Sequence, residues 1–440
     1  MILESKTLHI VAIVWVNLCR LLLAGVFIFS GFVKANDPLG FMYKLSDYAH
    51  AFRLSEYISD NMLLLLGVFI SILEFLLGVY LLFGIHRRIV PFVSFIMMLI
   101  MTPLTLYLAL KNPVSDCGCF GDAVVLSNWE TFIKNAILLV ASISVWWGRE
   151  LISRWITPRG EWLVSWNAAL YICCFAYYCF LYLPVFDFRP YRIGTNIRES
   201  MQLPEEDEDS AFETFFIMER EGVRREFAAE EYPEDSTWSL VDTRLVVKGE
   251  DKRAVIQDFS MTLSDTEEDL TELVVQDTGY VFLLVAYQLE SADDGYADLV
   301  NDLYDYCLEY GYPFYALTAS GNSQIELWCD KTGAEYPFCH VDDITLKTMV
   351  RSNPGLILLK NGVVANKWSC RAIPDDFELT EPLQNIDLGE VQSYSVIRKI
   401  TISVLWFVGS LILIFLLDHI GRLWTRFHNK AREKGEEGGL

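Results

Sequence analysis

Two patterns of hydrophobic and polar positions occupy different parts of this chain. Six apolar runs are each long enough to cross a hydrocarbon core of about 30 Å at about 1.5 Å per residue. They are Ile10 to Val33, Met62 to Phe83, Ile89 to Leu110, Trp129 to Trp147, Trp162 to Pro184 and Ile400 to Ile420. From about Val255 the runs are shorter and alternate in type. Tyr280 to Ala286, Pro313 to Thr318, Tyr336 to Val341, Leu356 to Lys360 and Val363 to Trp368 read as strands. Tyr296 to Tyr310, Ser323 to Lys331 and Ile344 to Arg351 have helical spacing, and Asn361-Gly362 is a hairpin signal. The fold class is therefore a polytopic α-helical membrane protein of about six crossings, carrying an α/β domain with a mixed sheet.

Charge sharpens that division. The 440 residues are 52% hydrophobic yet carry 58 acidic against 35 basic side chains, a formal net charge of -23. Most of the acids fall between Val185 and Ile397, which leaves the remainder mildly basic. This excludes a simple soluble enzyme and a nucleic-acid partner, because no basic surface remains outside the loops that flank the membrane. The lipid bilayer is the first partner. Basic residues cluster at His86-Arg87-Arg88, at Arg149, Arg154 and Arg159, and in the tail from Arg422 to Lys434. Six crossings put these three on one side, the cytoplasm, with both termini. The opposite, periplasmic side of a bacterial inner membrane then receives the loop around Cys117 and residues 185–397. Arg20 lies in the first run, which lacks a small-residue cleavage site before Lys34 and reads as a retained helix.

Candidate chemistry lies in the loop Asp116-Cys117-Gly118-Cys119-Phe120-Gly121-Asp122, followed by the capping box Ser127 to Glu130 at the start of the fourth helix. A disulfide between Cys117 and Cys119 closes over a single glycine, a ring suited to exchange rather than to stapling. The alternatives are two ordinary loop thiols or half of a metal site. Asp116 and Asp122 oppose thiolate formation and the capped helix start favours it. With Cys119 removed, Cys117 is expected to hold a partner as a mixed disulfide. Arg20 and Glu74 are placed at one depth, as an intramembrane charge pair that either locks two helices or forms a charged floor beneath a quinone or proton site. Cys19, Cys173, Cys174 and Cys179 sit in apolar helices as small hydrophobes. Cys307 reads as core, while Cys329, Cys339 and Cys370 leave room for one structural disulfide.

Arg20-x-x-x-x-Gly25, Ser30-Gly31 with Lys34, Glu74-x-x-x-Gly78 with Gly84, and the CGCFGD loop resemble the DoxX and MauE group of four-helix membrane proteins over about residues 8–148. That resemblance implies links to respiratory electron transfer, thiosulfate:quinone oxidoreductase or maturation of disulfide-containing periplasmic proteins, with quinone as the cofactor class. Residues 255–375 resemble a thioredoxin-like domain of the TlpA or peroxiredoxin type through Asp258-Phe259 and Asn353-Pro354-Gly355, with Pro354 as the cis-proline of that fold and Asn353 and Pro354 as partner-binding positions. The departure is at the reactive turn. Tyr287 to Ala292 contains no cysteine, so this domain lacks the thiolate that exchange at that turn requires.

The expected divisions are 1–148 four-helix bundle, 149–184 fifth helix and loop, 185–254 acidic linker or adapter, 255–376 thioredoxin-like domain, 377–396 linker, 397–421 sixth helix and 422–440 basic tail. Within the adapter, Leu203 to Asp209 reads as a flexible acidic stretch, and Phe212 to Met218 and Leu245 to Lys248 as strands. Two functions compete. One is membrane redox, with Cys117 and Cys119 exchanging electrons with a periplasmic thiol or disulfide protein held by the thioredoxin-like domain. The other is a non-catalytic scaffold or assembly factor that docks periplasmic proteins.

Overall fold

The computed structural model describes residues 2–114, 117–202, 212–220, 223–228, 239–247, 256, 259–375 and 377–437. Asp116, Asp258 and the acidic stretch Leu203 to Asp209 lie outside them. In chain order the elements are α1 (Ile2–Asn36), α2 (Pro38–Ala51), α3 (Asp60–Phe83), α4 (Val90–Lys111), α5 (Asn128–Trp147), α6 (Glu161–Leu181), α7 (Ile197–Met201), β1 (Phe212–Arg220), β2 (Val223–Ala228) and β3 (Ser239–Val247). There follow β4 (Thr262–Leu263), α8 (Thr271–Val275), β5 (Tyr280–Val285), α9 (Ala297–Tyr310), β6 (Phe314–Thr318), α10 (Asn322–Thr332), β7 (Phe338–His340), α11 (Asp343–Met349), β8 (Gly355–Lys360), β9 (Val363–Ser369) and α12 (Ser393–Glu437). The chain divides into two compact units, Met1–Phe188 with Ser393–Leu440, and Arg189–Gln392.

Within the helical unit, five stretches among the described residues are long and apolar enough to cross a membrane: Thr7–Asn36, Asp60–Phe83, Val90–Lys111, Glu161–Leu181 and Ile397–Trp424. The fourth expected crossing, α5, has spanning length, but Glu130, Lys134 and Asn135 make its first turns polar. Its later turns bury Leu138, Ala141 and Val145 with Val16, Leu23 and Met98. The expected Ser127–Glu130 capping box is present at its start. Helix α2 is an addition to the expected plan. Asp37 caps it by accepting from Gly40 N, and Pro38 stands at its first turn, where a missing N–H costs nothing. Helices α1 and α3 touch through glycines. A methyl on Gly78 would lie 2.6 Å from Ile28 N, and one on Gly31 would strike the backbone of Phe75, the close approach that small residues allow between membrane helices.

In the second unit, β5, β6 and β7 are parallel, and β8 runs antiparallel to β5 and β9 to β8, in the order β4-β7-β6-β5-β8-β9. The β-α-β unit β5-α9-β6 followed by the hairpin β8-β9 is the thioredoxin-like arrangement, and the Asn353–Pro354 bond is cis as expected. Every residue of β5 is buried, as its unbroken apolar run requires of a central strand. Asn361 and Gly362 both take positive φ in the hairpin turn. The adapter folds as a separate antiparallel sheet, β2-β1-β3.

The boundaries of this unit differ from expectation at both ends. Residues 377–392 are not a linker, because Leu379 and Leu383 are buried in the main core and Ile386 and Leu388 pack against it. Tyr306 donates to Glu381 O at 2.8 Å, and Leu383 N donates to Tyr312 Oη at 3.0 Å. At the other end, Gly194 N and Ile197 N donate to Val364 O and Gly362 O, covering the outer edge of β9. A fragment of residues 189–392 is therefore expected to melt cooperatively. One ending at 376 exposes the core around Leu383 and should lose most of its stability, since a single buried Leu truncated to Ala already costs about 2–5 kcal/mol. Circular-dichroism melts of the two fragments check this, and identical melts would return 377–392 to the status of a linker.

Candidate functional site

The CGC loop is seated on the ends of α1 and α2. Gly118 takes φ +64, and its missing side chain leaves room for Lys44 of α2, which a methyl would approach at 3.1 Å. Tyr48 of the same helix donates its hydroxyl to Cys117 O at 2.7 Å. The ring of Phe120 stands edge-on to Phe29, with Lys134 Nζ 4.0 Å from its centre. The loop therefore presents its two sulfurs in a fixed geometry, 2.8 Å apart as a thiol pair. Cys117 is buried and Cys119 partly so.

Beneath the loop lies a buried ion pair. Lys34 Nζ sits 2.7 and 2.8 Å from the two carboxylate oxygens of Glu74, with both side chains nearly inaccessible. The Ser30 hydroxyl stands 2.7 Å from Glu74 Oε2 and 2.8 Å from Cys119 O, so its one proton serves the carboxylate and the thiol loop together. Lys34 also faces the ring of Phe41 at 4.9 Å. Ser30, Lys34 and Glu74 stand among the residues that carry the family resemblance, but the pattern of the apolar runs does not pair Lys34 with Glu74, because Ser30 and Lys34 close the first run and Glu74 lies inside the second.

The expected Arg20–Glu74 pair is not formed. Gly31 against Phe75, Gly78 against Ile28 and Arg20 against Gly84 fix the antiparallel register of α1 on α3. That register places Arg20 beside the end of α3, ten residues or about 15 Å beyond Glu74. Counting depth from the first apolar residue failed because α1 extends back to Ile2, so the start of the run does not mark a common level with α3. Buried Arg20 instead donates from Nη1 to Ser153 O at 2.5 Å and lies over the Trp155 ring at 5.4 Å. A charged floor does exist, but Lys34 supplies its cation.

The two thiols are electrostatically unequal. Sharing a proton across 2.8 Å is the largest influence on each, lowering Cys119 and raising Cys117. Burial opposes ionisation at both, while Lys134 and Lys34 favour a negative charge at Cys119 and Glu74 opposes it. Lys134 favours ionisation of both thiols and Tyr48 that of Cys117, while Lys34 acts on Cys119 alone, so the direction is toward Cys119 as the more readily ionised sulfur. This inequality favours Cys119 over Cys117, the sulfur expected to hold the mixed disulfide, as the attacking thiol, and Lys34 and Lys134 lie outside the loop. The space adjoining Cys119, lined by Gly118, Phe120, Val124 and Thr131, is about 10 Å³, room for one water. It does not fit a quinone ring. Among the described residues, no group of three His, Cys, Asp or Glu side chains is placed to hold a metal ion.

In the second unit, the thiol-free turn is closed by the residues expected to bind a partner. Asn353 Nδ2 donates to Gln288 O at 2.7 Å and to Ser291 Oγ at 3.2 Å, and Asp293 N donates to Asn353 O. Pro354 is buried. Cys307, Cys329, Cys339 and Cys370 are all free, so the expected structural disulfide is absent, and Cys307 and Cys339 are core thiols that burial pushes up.

Residues 10–148 match the family of the methylamine utilisation protein MauE, and residues 212–250 match a domain of unknown function (DUF8463). No curated protein matches the chain. Among solved structures, the chain is similar to a candidate protein disulfide isomerase from Bacteroides thetaiotaomicron at 14% identity and TM-score 0.24, covering 32% of this chain and 91% of that one. It is also similar to the bacterioferritin comigratory protein of Xanthomonas campestris, whose structures concern alkyl peroxide reduction, at 14% identity and TM-score 0.21, covering 26% and 82%. At these scores the neighbours add nothing to what the strand order already shows. The MauE match covers the helices that carry Ser30, Lys34 and Glu74 and the loop that carries Cys117 and Cys119.

Removing one member of a buried pair strands the other, at a cost of about 3–5 kcal/mol. Glu74→Ala should therefore reduce the thermal stability of the full-length protein sharply, and the Lys34→Met/Glu74→Leu double variant should recover most of the loss. Arg20→Met should add independently to Glu74→Ala. Strong coupling of Glu74 to Arg20 and none to Lys34 would contradict this assignment.

Proposed function

We propose that this chain is a multi-pass inner-membrane protein whose Cys117 and Cys119 exchange disulfides with a protein partner on the extracytoplasmic side. The thioredoxin-like unit serves as a docking module for that partner. The observation that carries the reading is the thiol pair itself, with the two sulfurs 2.8 Å apart and Lys34 and Lys134 favouring a negative charge at Cys119. In the exchange, the Cys119 thiolate attacks a partner disulfide, forming a mixed disulfide and releasing one partner thiolate. Cys117, deprotonated in turn, attacks Cys119 Sγ and expels the second partner thiolate. The partner gains two electrons and the pair becomes a disulfide; the reverse sequence oxidises a partner dithiol. No step is assigned to a quinone.

The basic loops at residues 86–88 and 149–159 and the basic tail support an orientation with α5 spanning, both termini in the cytoplasm and residues 185–397 in the periplasm. The packing of α5 along α1 and α4 supports that crossing. The thiol-free turn, tied shut by Asn353, supports a binding rather than a catalytic role for the second unit. A scaffold function is the second reading, favoured by that same inert turn.

Acid-quenched alkylation of growing cells distinguishes the two. Cys117→Ser should accumulate a mixed disulfide on Cys119, and Cys119→Ser should accumulate far less on Cys117. A pair that stays fully reduced under every growth condition, with no trapped partner for either variant, would leave the scaffold reading standing.

A further inference from the structure

At the basic end of the helical unit, a groove of about 710 Å³ lies between the loop that enters α6 and the outer turns of α12. Its lining divides by chemistry. Leu163, Ile414 and Leu417 form an apolar wall, and Arg159 and Arg422 stand at its polar end. We propose that this groove binds an anionic phospholipid, with the headgroup phosphate on Arg159 and Arg422 and an acyl chain along the leucine and isoleucine wall. The proposal rests on the membrane-spanning character of the unit and not on the thiol chemistry.

Charge complementarity commits the groove to that occupant. Asp418 is the one carboxylate in its lining, and it is already engaged, accepting from Thr157 Oγ1 at 2.5 Å and pairing with Arg422 Nη2 at 3.1 Å. It therefore orients Arg422 without presenting a free negative charge. Arg422 Nη2 also donates to Trp155 O, and Arg20 lies over the ring of the same Trp155. Arg20 and Arg87 repel one another, as do Arg87 and Arg154, with Glu150 and Glu161 as the opposing charges on Arg87. The buried Nε atoms of Arg20, Arg87 and Arg422 have no hydrogen-bond partner among the described residues. This end of the bundle thus holds more positive charge than its own carboxylates answer. Basic pockets between membrane helices, next to apolar walls of acyl-chain character, are where anionic headgroups bind. Exposed Leu413, Leu416 and Ile420 on α12 offer further surface to lipid.

The test uses full-length protein in a neutral detergent, titrated separately with dihexanoyl-phosphatidylglycerol, dihexanoyl-phosphatidylcholine and inorganic phosphate. Native mass spectrometry reads bound adducts. Phosphatidylglycerol should bind in preference to both others, and Arg159→Gln should weaken it roughly fivefold, the worth of one arginine near an anionic surface. Arg159 is exposed, so the variant should melt like wild type without lipid. Should it melt differently, Arg159→Lys, which keeps the charge, decides the matter by keeping the preference. Equal binding of phosphatidylcholine would overturn the proposal, as would an unchanged affinity in Arg159→Gln. Phosphate binding as tightly as the lipid would make the groove a site for a free anion and would also overturn it.

Discussion

The Lys34–Glu74 ion pair is the interaction on which the helical unit depends. Two opposite charges inside a membrane bundle are expensive unless they satisfy one another, and here each carboxylate oxygen meets the ammonium within 2.8 Å. That contact requires α1 and α3 to approach at backbone distance, which Gly31 and Gly78 permit. Coulomb attraction and small-residue packing thus specify one register between the same two helices. A shift of one turn, about 5.4 Å, would separate the charges and drive side chains into backbone.

The thiol loop inherits that precision. Ser30 links Glu74 to the backbone of Cys119, and Lys34 lies close enough to influence the Cys119 sulfur. Tyr48 and Lys44 hold the loop from α2, and Lys134 reaches it from α5. Four helices therefore converge on two sulfur atoms, far more support than a loop needs merely to connect α4 to α5. The second unit shows the opposite economy. It retains the thioredoxin-like sheet and the cis Asn353–Pro354 bond, yet ties its reactive turn shut with side-chain amide hydrogen bonds and buries Cys307 and Cys339 in its core.

Much of this was legible in the sequence because periodicity and capping are local. The strands from Tyr280 to Trp368 fall within a few residues of their expected limits, and Ser127 to Glu130 forms its capping box. The thiol pair was legible as a motif. Its electrostatics were not, since Lys34, Lys134 and Tyr48 lie far from Cys119 in sequence and meet it only through helix packing. Arg20 was misassigned for the same reason, because depth counted along one helix says nothing about register against another. Helix α2 has too few apolar residues to stand out beside spanning helices, and residues 377–392 bury leucines without regular spacing, so neither has a periodic signature.

The central claim is that the helical scaffold makes Cys119 the thiolate of the pair. The most direct measurement is the pH dependence of Cys119 alkylation in the full-length, membrane-embedded protein, followed by mass spectrometry of the modified peptide. A group whose ionised form is favoured by neighbouring lysines titrates below its ordinary value, so reactivity should persist at neutral pH and fall only under more acidic conditions. The account predicts a midpoint below the ordinary thiol value of about 8.5, moving upward in Lys134→Met. A wild-type midpoint at or above that value, or Cys117 reacting first, would contradict it.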